Sequence, residues 1–248
     1  MKHVIMDAYS KLSRDYEKNV DTESGYNAYY ERPAMLKQLP EDMSGLAALD
    51  AGCAAGWYTE QLFHRGAQVT AIDLSPEMIE ATRRRVGEKA NLLAHDLNDP
   101  LPFADESFHL IISSLTLHYI ENLARPLHEF HRVLRPGGQL LFSVHHPFMD
   151  FTLFQRPDYF THEWLIDNWI KKEAGEVEVA IFRRPLHDII NQTTAAFTLD
   201  RIIEPQAVPA FLEKLPDSRK SYDHLMTHPH FLIVHAHKSQ SPTQERNR

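Results

Sequence analysis

The segment Leu49-Asp-Ala-Gly-Cys-Ala-Ala-Gly-Trp57 constrains the fold more than any other part of the chain. Residues 46–50 predict a short buried strand, the small residues 51–56 predict a tight turn, and residues 57–65 predict a helix. In such a unit, backbone N–H groups and the positive end of the helix dipole face a ligand, and small residues let it approach closely. The segment therefore predicts a nucleotide-binding corner.

The next predicted strand, 68–73, ends in an acid that fits this interpretation. Asp73 follows Gly56 at close to the roughly 20-residue spacing expected for a carboxylate that binds ribose hydroxyls in such a unit. A capping role remains open for Asp73, because Ser75-Pro76 behind it predicts the start of a helix.

Strands alternate with helices through the first 145 residues. The predicted strands are 46–50, 68–73, 90–94, 107–114 and 139–145, and the helices between them are 57–65, 76–87 and 124–134, the last ending in a turn at 134–138. This order predicts parallel βαβ units with right-handed crossovers, in an α/β fold. A helix at 186–196 and strands at 197–204 and 230–237 are predicted to complete the sheet.

We divide the chain into a main domain, 41–238, and two flanking segments. Residues 1–40 predict a helical, tyrosine-rich lid segment, and the polar residues 239–248 predict a disordered tail. Within the main domain, 147–185 is aromatic and irregular, which indicates a cap insertion after the fifth strand, with a strand at 177–182. Its aromatic side chains and the N-terminal tyrosines fit either an apolar pocket or the core of the cap.

Composition excludes several classes of function. The net charge is −8, whereas nucleic-acid binders usually carry a basic face. We see no secretory signal and no run of about 18 apolar residues, so we expect no membrane partner. Cys53 is the single cysteine and cannot form an internal disulfide, which fits the cytoplasm. The histidines lack the spacing of metal ligands, so we expect no metal site. The sequence does not indicate the oligomeric state.

Several segments together carry a family resemblance. They are 49–57, Asp73-Leu-Ser-Pro-Glu-Met78, Asp96-Leu97, Leu101-Pro-Phe103, 108–114 and Leu134-Arg-Pro-Gly-Gly138. Their order resembles the class I S-adenosylmethionine-dependent methyltransferases of the small-molecule type, and within it methyltransferase domain 11 and the ubiquinone-biosynthesis methyltransferases. The resemblance implies a Rossmann-like, doubly wound, seven-stranded and mostly parallel sheet with an antiparallel last strand. It also implies S-adenosylmethionine as cofactor, S-adenosylhomocysteine as product and a small-molecule methyl acceptor.

The resemblance also implies roles for particular residues. The residues implied to face the methionine part of the cofactor are Asp50, Gly52, Cys53, Ala54 and Gly56. Ser113 would lie near the amino-acid end of the cofactor. Asp73 would bind both ribose hydroxyls, and a carboxylate can accept two donors. The residues implied to lie near the adenine ring are Leu74, Met78, Asp96 and Leu97. Asp96 would accept from the adenine amino group, although a turn role in its polar loop is the alternative.

One position departs from the family pattern. Ala54 stands where the family usually has glycine. Its methyl group narrows the approach of a ligand and disfavours a positive φ.

Three histidines are candidates for a general base. His118 follows the fourth predicted strand, and His145 and His146 end the fifth, at the edge where ligands of parallel sheets bind. An imidazole pKa near ~6.5 suits proton removal at neutral pH. Turn, capping or packing roles remain open for all three. Arg32 fits either a pairing with the cofactor carboxylate or a surface pair with a glutamate.

We therefore predict an S-adenosylmethionine-dependent methyltransferase that acts on a small molecule. A non-catalytic protein that binds S-adenosylmethionine or S-adenosylhomocysteine is one alternative, and a protein methyltransferase is another. A nicotinamide-dependent oxidoreductase is disfavoured, because Gly-Cys-Ala-Ala-Gly lacks the G-x-G-x-x-G spacing that binds a pyrophosphate.

Overall fold

A computed structural model of the protein describes residues 1–240, so most of the predicted disordered tail lies outside the described residues. The strands in this part of the chain are β1 Ala47–Ala51, β2 Gln68–Asp73, β3 Ala90–Ala94, β4 Phe108–Ser113, β5 Leu134–His145, β6 Glu163–Lys171, β7 Gly175–Arg183, β8 Thr198–Ile203 and β9 Phe231–His237. The helices are α1 Lys2–Lys18, α2 Val20–Glu23, α3 Arg32–Leu36, α4 Trp57–His64, α5 Pro76–Val86, α6 Ala124–Val133, α7 Pro147–Leu153, α8 Leu186–Ala196, α9 Ala210–Lys214 and α10 Arg219–Thr227.

Seven of these strands form one sheet in the order β3-β2-β1-β4-β5-β9-β8. The five strands from β3 to β5 run parallel, and β9 is antiparallel to both of its neighbours. The order reverses beside β1, and at such a switch point the loops after neighbouring strands leave a crevice for a ligand. The prediction of a Rossmann-like, mostly parallel seven-stranded sheet is confirmed.

Apolar side chains cover both faces of the sheet. One cluster joins Leu49, Ile111 and Phe142 to the helices α6 and α8. The other joins Ala48, Ile112 and neighbouring strand residues to α3 and α4. Because helices cover both faces, the central strands are near-continuous apolar runs, as is typical of buried parallel strands.

Two predicted boundaries need correction. Strand β5 begins at Leu134 rather than 139, because Phe108 pairs with Leu134 and Leu110 pairs with Gln139. The predicted turn at 134–138 is thus a bulge in the strand, where Gly137 has a φ of +75°. The cap is also more regular than predicted, since β6 and β7 form a nine-residue antiparallel hairpin.

The N-terminal helix α1 packs between α5 and the hairpin strand β7. Ala8 and Leu12 of α1 share a buried cluster with Met78 of α5 and with Val177 and Val179 of β7. This docking places the helix across the carboxyl ends of the parallel strands. Among the helices of residues 1–240, none has the length and apolar character needed to cross a membrane.

Candidate functional site

A cavity of about 410 Å³ lies beyond the carboxyl ends of β1, β2, β3 and β4. The turns after these strands form one wall, which we call the strand-end wall. Residues of α1 and the segment up to Arg32 form the opposite wall, which we call the N-terminal wall. Predicted site residues on the cavity are Gly52, Cys53, Ala54, Asp73, Leu74, Asp96 and Leu97.

The turn after β1 has the backbone shape that its small residues predict. Gly52 has a φ of +88°, and a Cβ there would lie 2.2 Å from the Thr116 hydroxyl oxygen. Ala54 has a φ of +47°, so an L-residue occupies the left-handed region that a glycine would adopt without strain. The Thr82 hydroxyl donates to the Ala54 carbonyl oxygen at 2.7 Å, and this bond holds the turn.

Asp73 joins this turn to the start of α5. Its carboxylate accepts from the backbone N–H of Ala54 and of Ser75, both at 2.9 Å. Burial raises the pKa of Asp73 to about 6, although these backbone donors favour the charged form. Each oxygen retains a lone pair, so the carboxylate can still accept two hydroxyl donors from the cavity. Ser75 and Pro76 cap and begin α5, as predicted.

Four predicted site residues lie behind the strand-end wall and not on the cavity. Asp50 accepts from the Thr59 hydroxyl at 2.7 Å, and burial raises its pKa to about 7. Ser113 donates to the Ala51 carbonyl. Gly56 caps α4, where a Cβ would lie 2.6 Å from Thr82, and Met78 packs under α1. These residues lie behind the turn, and none of the four lines the cavity.

Asp96 receives donors from both walls. Lys2 of α1 lies 2.6 Å from Oδ2, and Asn98 donates to Oδ1 through its backbone and side-chain N–H groups. Burial works to raise the pKa of Asp96, but these donors outweigh burial and lower it. The neighbouring His95 also lines the cavity, and its buried Nε2 has no hydrogen-bond partner within residues 1–240. This end of the cavity therefore offers a carboxylate.

Arg32 lies on the cavity wall with Asp21 and Trp57. Its Nη1 donates to Asp21 at 2.9 Å, and its guanidinium lies 4.2 Å from the Trp57 ring centroid. The side chain is 8% exposed, so the predicted surface pair with a glutamate is wrong. A buried guanidinium on the wall suits a carboxylate ligand, because it presents a planar set of donors.

Glu31 ties the N-terminal segment to the sheet. It ends the π-helical turn Asn27–Glu31, is fully buried, and accepts from the hydroxyls of Tyr58, Ser114 and Ser143. Burial raises its pKa, while the three donors work in the opposite direction. Tyr58 and Ser114 line the cavity, so this network fixes one wall against the other.

The three candidate histidines do not line the cavity. His146 caps α7 by accepting from the Phe148 N–H, and its other nitrogen lies 3.0 Å from Glu204. His145 lies 3.2 Å from Asp150, and His118 stacks on His145 at 4.2 Å between ring centroids. These contacts are the turn, capping and packing roles that the sequence left open. The base role stays a prediction that this geometry does not favour.

The sequence analysis did not identify most of the N-terminal wall as part of the site. Cavity residues that it did not assign as ligand contacts include Lys2, Ile5, Tyr9, Tyr16 and Asn27 of this wall, and Tyr119 and Trp164 from elsewhere in the chain. The tyrosine-rich composition of 1–40 was the available signal, but it did not say which rings face a ligand. Of the cap aromatics, Trp164 reaches the cavity, whereas Phe148 and Phe160 are exposed.

Comparison with known proteins defines the class. A family model described as "Methyltransferase domain" matches residues 49–142, which span β1 to β5 and the strand-end wall. A solved S-adenosylmethionine-dependent methyltransferase from Mesorhizobium loti has 28% sequence identity and a TM-score of 0.65, and the match covers 84% of this chain and 97% of that one. Residues 49–142 are therefore similar to the methyltransferase domain family, and the predicted resemblance to class I S-adenosylmethionine-dependent methyltransferases is confirmed for this part of the chain.

Two further proteins show how far the similarity extends. A putative methyltransferase from Listeria monocytogenes shares the fold with a TM-score of 0.71, at 23% identity over 85% of this chain and 97% of that one. A curated malonyl-[acyl-carrier protein] O-methyltransferase from Hamiltonella defensa is 33% identical over 145 residues, which cover 58% of this chain and 52% of that protein. The chain spans about half the length of the curated relatives it matches.

Proposed function

We propose that this protein transfers the methyl group of S-adenosylmethionine to a small-molecule acceptor. One observation carries the proposal: the Asp73 carboxylate is buried on the cavity wall, fixed by two backbone N–H groups and still able to accept two hydroxyls. A ribose diol supplies that pair of donors. The match to methyltransferase relatives and the cavity volume support the same ligand.

The residues around Asp73 fit the remaining parts of this cofactor. We assign the adenine ring to the end with Leu74, Leu97 and Asp96. We assign the methionine part to the Gly52–Ala54 turn and its carboxylate to Arg32. The cofactor supplies an activated methyl group on a sulfonium centre.

The protein's contribution to catalysis is then mainly positional. Holding the acceptor in line with the methyl group and excluding water can contribute ~7–11 kcal/mol. Within residues 1–240 the single histidine on the cavity is His95, beside Asp96. We therefore propose that the acceptor needs no histidine base from this chain. The N-terminal wall and Trp164 would contact the acceptor.

Calorimetric titration with S-adenosylhomocysteine tests the proposal. We expect micromolar binding by the wild type and no binding of NADH. In Asp73→Ala the diol loses both acceptors, so we expect affinity to fall by about 100-fold. Asp99→Ala is a matched control, because Asp99 belongs to the loop after Asp96 and does not line this cavity. A folded wild type that binds NADH but not S-adenosylhomocysteine would refute the proposed function.

A further inference from the structure

Three tyrosines form one contiguous aromatic surface on the cavity. Tyr9 and Tyr16 come from α1, and Tyr119 comes from the short 3₁₀ turn after β4. Ring centroids are 5.8 Å apart for Tyr9 and Tyr16 and 5.3 Å apart for Tyr9 and Tyr119. The Tyr9 hydroxyl donates to the Tyr119 hydroxyl at 2.7 Å. The three rings pack in the same apolar cluster as Ala54.

The proposed subsites for the ribose and the methionine part determine where the sulfur of S-adenosylmethionine lies relative to this cluster. In S-adenosylmethionine the sulfur is bonded both to the ribose carbon chain and to the methionine chain. With the ribose on Asp73 and the methionine part on the Gly52–Ala54 turn, the sulfur must lie between them. The two subsites adjoin, since the Ala54 N–H donates to Asp73 at 2.9 Å.

Tyr16 lies beside the same junction. It lines the same cavity as Arg32 and Asp73, and burial raises its pKa. Burial also raises the pKa of Tyr9 and Tyr119 well above the usual value. All three are therefore neutral at physiological pH, and a neutral phenol ring has an electron-rich face that attracts a cation.

We propose that Tyr9, Tyr16 and Tyr119 form an aromatic enclosure that binds the positively charged methylsulfonium of S-adenosylmethionine and discriminates it from the neutral thioether of S-adenosylhomocysteine. The proposal rests on the proposed function and assigns to these three rings a task that Asp73 and the Gly52–Ala54 turn do not perform. A sulfonium is attracted to aromatic faces as a quaternary ammonium is, and the attraction grows when water is excluded. The product lacks this charge, so the enclosure favours its release after transfer.

The ratio of the dissociation constants for S-adenosylhomocysteine and S-adenosylmethionine measures this discrimination without any acceptor. Calorimetry with both compounds would compare the wild type with Tyr119→Leu and Tyr16→Leu, which remove a ring, and with Tyr119→Phe, which keeps it. We expect each leucine variant to lower the ratio by about two- to thirty-fold, mainly through weaker binding of S-adenosylmethionine. Tyr119→Phe should retain most of the ratio, because the ring supplies the attraction.

Tyr222→Leu is the control, because Tyr222 belongs to a separate aromatic cluster with Phe211. It should leave the ratio unchanged. A wild-type ratio in both leucine variants would overturn the proposal, and so would an equal loss of affinity for the two compounds, which would indicate a purely structural role. A wild type that binds neither compound would instead refute the proposed function, so the two failures are distinguishable.

Discussion

The two walls of the cavity differ in how they are built. The strand-end wall consists of the turns that directly follow β1, β2, β3 and β4, and its polar groups include the carboxylates of Asp73 and Asp96. The N-terminal wall consists of a helix that docks from outside the sheet, and it contributes Lys2 and a set of tyrosines. One wall is fixed by the topology of the sheet, and the other by side-chain packing against α5 and β7.

This difference separates two tasks. In the proposed arrangement, the parts of the cofactor that stay unchanged during the reaction, the ribose diol and the adenine ring, bind mainly to the wall that the sheet positions. The groups that change, the sulfonium and the acceptor, would bind mainly to side chains that packing positions. Variants in each wall test this division.

The largest effect is expected for Gly52→Ala in the strand-end wall. A methyl group there combines a φ of +88° with a clash against Thr116, so we expect a loss of about 3 kcal/mol in the free energy of unfolding. Urea denaturation measures it. Gly45→Ala is the control, since Gly45 has a φ of +79° but no atom within 4 Å of the added carbon, and should cost about 1 kcal/mol. Equal costs would mean that Thr116 does not confine the turn.

Cofactor binding should depend on pH through Asp73. Burial raises its pKa to about 6, above the unfolded value of 3.8, and protonation removes its charge. We expect affinity for S-adenosylhomocysteine to be constant above pH 7 and to fall by up to about tenfold per unit below pH 6. The free energy of unfolding of the unbound protein has the opposite pH dependence. The contribution of Asp73 to it is fully present below pH 3.8 and is lost as the pH rises toward 6, because the buried carboxyl is more stable in its neutral form. In Asp73→Asn this component of the pH dependence should be absent, and its persistence would assign it to another group.

A smaller effect is expected for Ala54→Gly. Glycine relieves the strain of a φ of +47°, but it also gains entropy in the unfolded chain, so we expect a net stabilisation of about 0.5 kcal/mol. Thermal unfolding with and without S-adenosylhomocysteine would show whether the missing methyl group also improves binding. A lower melting temperature in the variant would show that the contacts of the Ala54 methyl group with the tyrosine cluster outweigh the strain.

The smallest effect is expected for Lys2→Met in the N-terminal wall. The Lys2 side chain is 54% exposed, so its ion pair with Asp96 is screened and should contribute about 0.5 kcal/mol to the docking of α1. We expect an approximately twofold change in the affinity for S-adenosylhomocysteine. Lys11→Met is the control, because Lys11 pairs only with the exposed Asp7 on the same helix. Identical affinities for S-adenosylhomocysteine in the two variants would show that Lys2 does not contribute to the site.

The sequence predicted the strand-end wall because its residues have local signals. Asp73 and Asp96 each follow a strand, and Gly52 stands in a small-residue turn, so the order of elements places them together. The distinction between Asp50 and Asp73 was not predictable, because both end a strand and only packing buries Asp50 against Thr59. The contacts of the histidines were not predictable for the same reason, since the packing that brings Glu204 to His146 joins residues 58 positions apart.

The N-terminal wall was predicted only as helical and rich in tyrosine. Helical spacing shows which residues of α1 share a face, but not which element that face meets. Ala8 and Leu12 contact the hairpin strand β7, more than 150 residues away, and this contact turns Tyr9 and Tyr16 toward the cavity. Such a long-range choice is decided by packing and leaves no short motif.

Hydrogen–deuterium exchange with and without S-adenosylhomocysteine tests most directly the claim that both walls bind one cofactor. We predict slower exchange in the turns around Gly52–Gly56, Asp73–Ser75 and Asp96–Asn98, and also along α1, because the ligand bridges the walls. Protection confined to the turns, with α1 exchanging as in the free protein, would contradict the account and would leave the N-terminal helix outside the site.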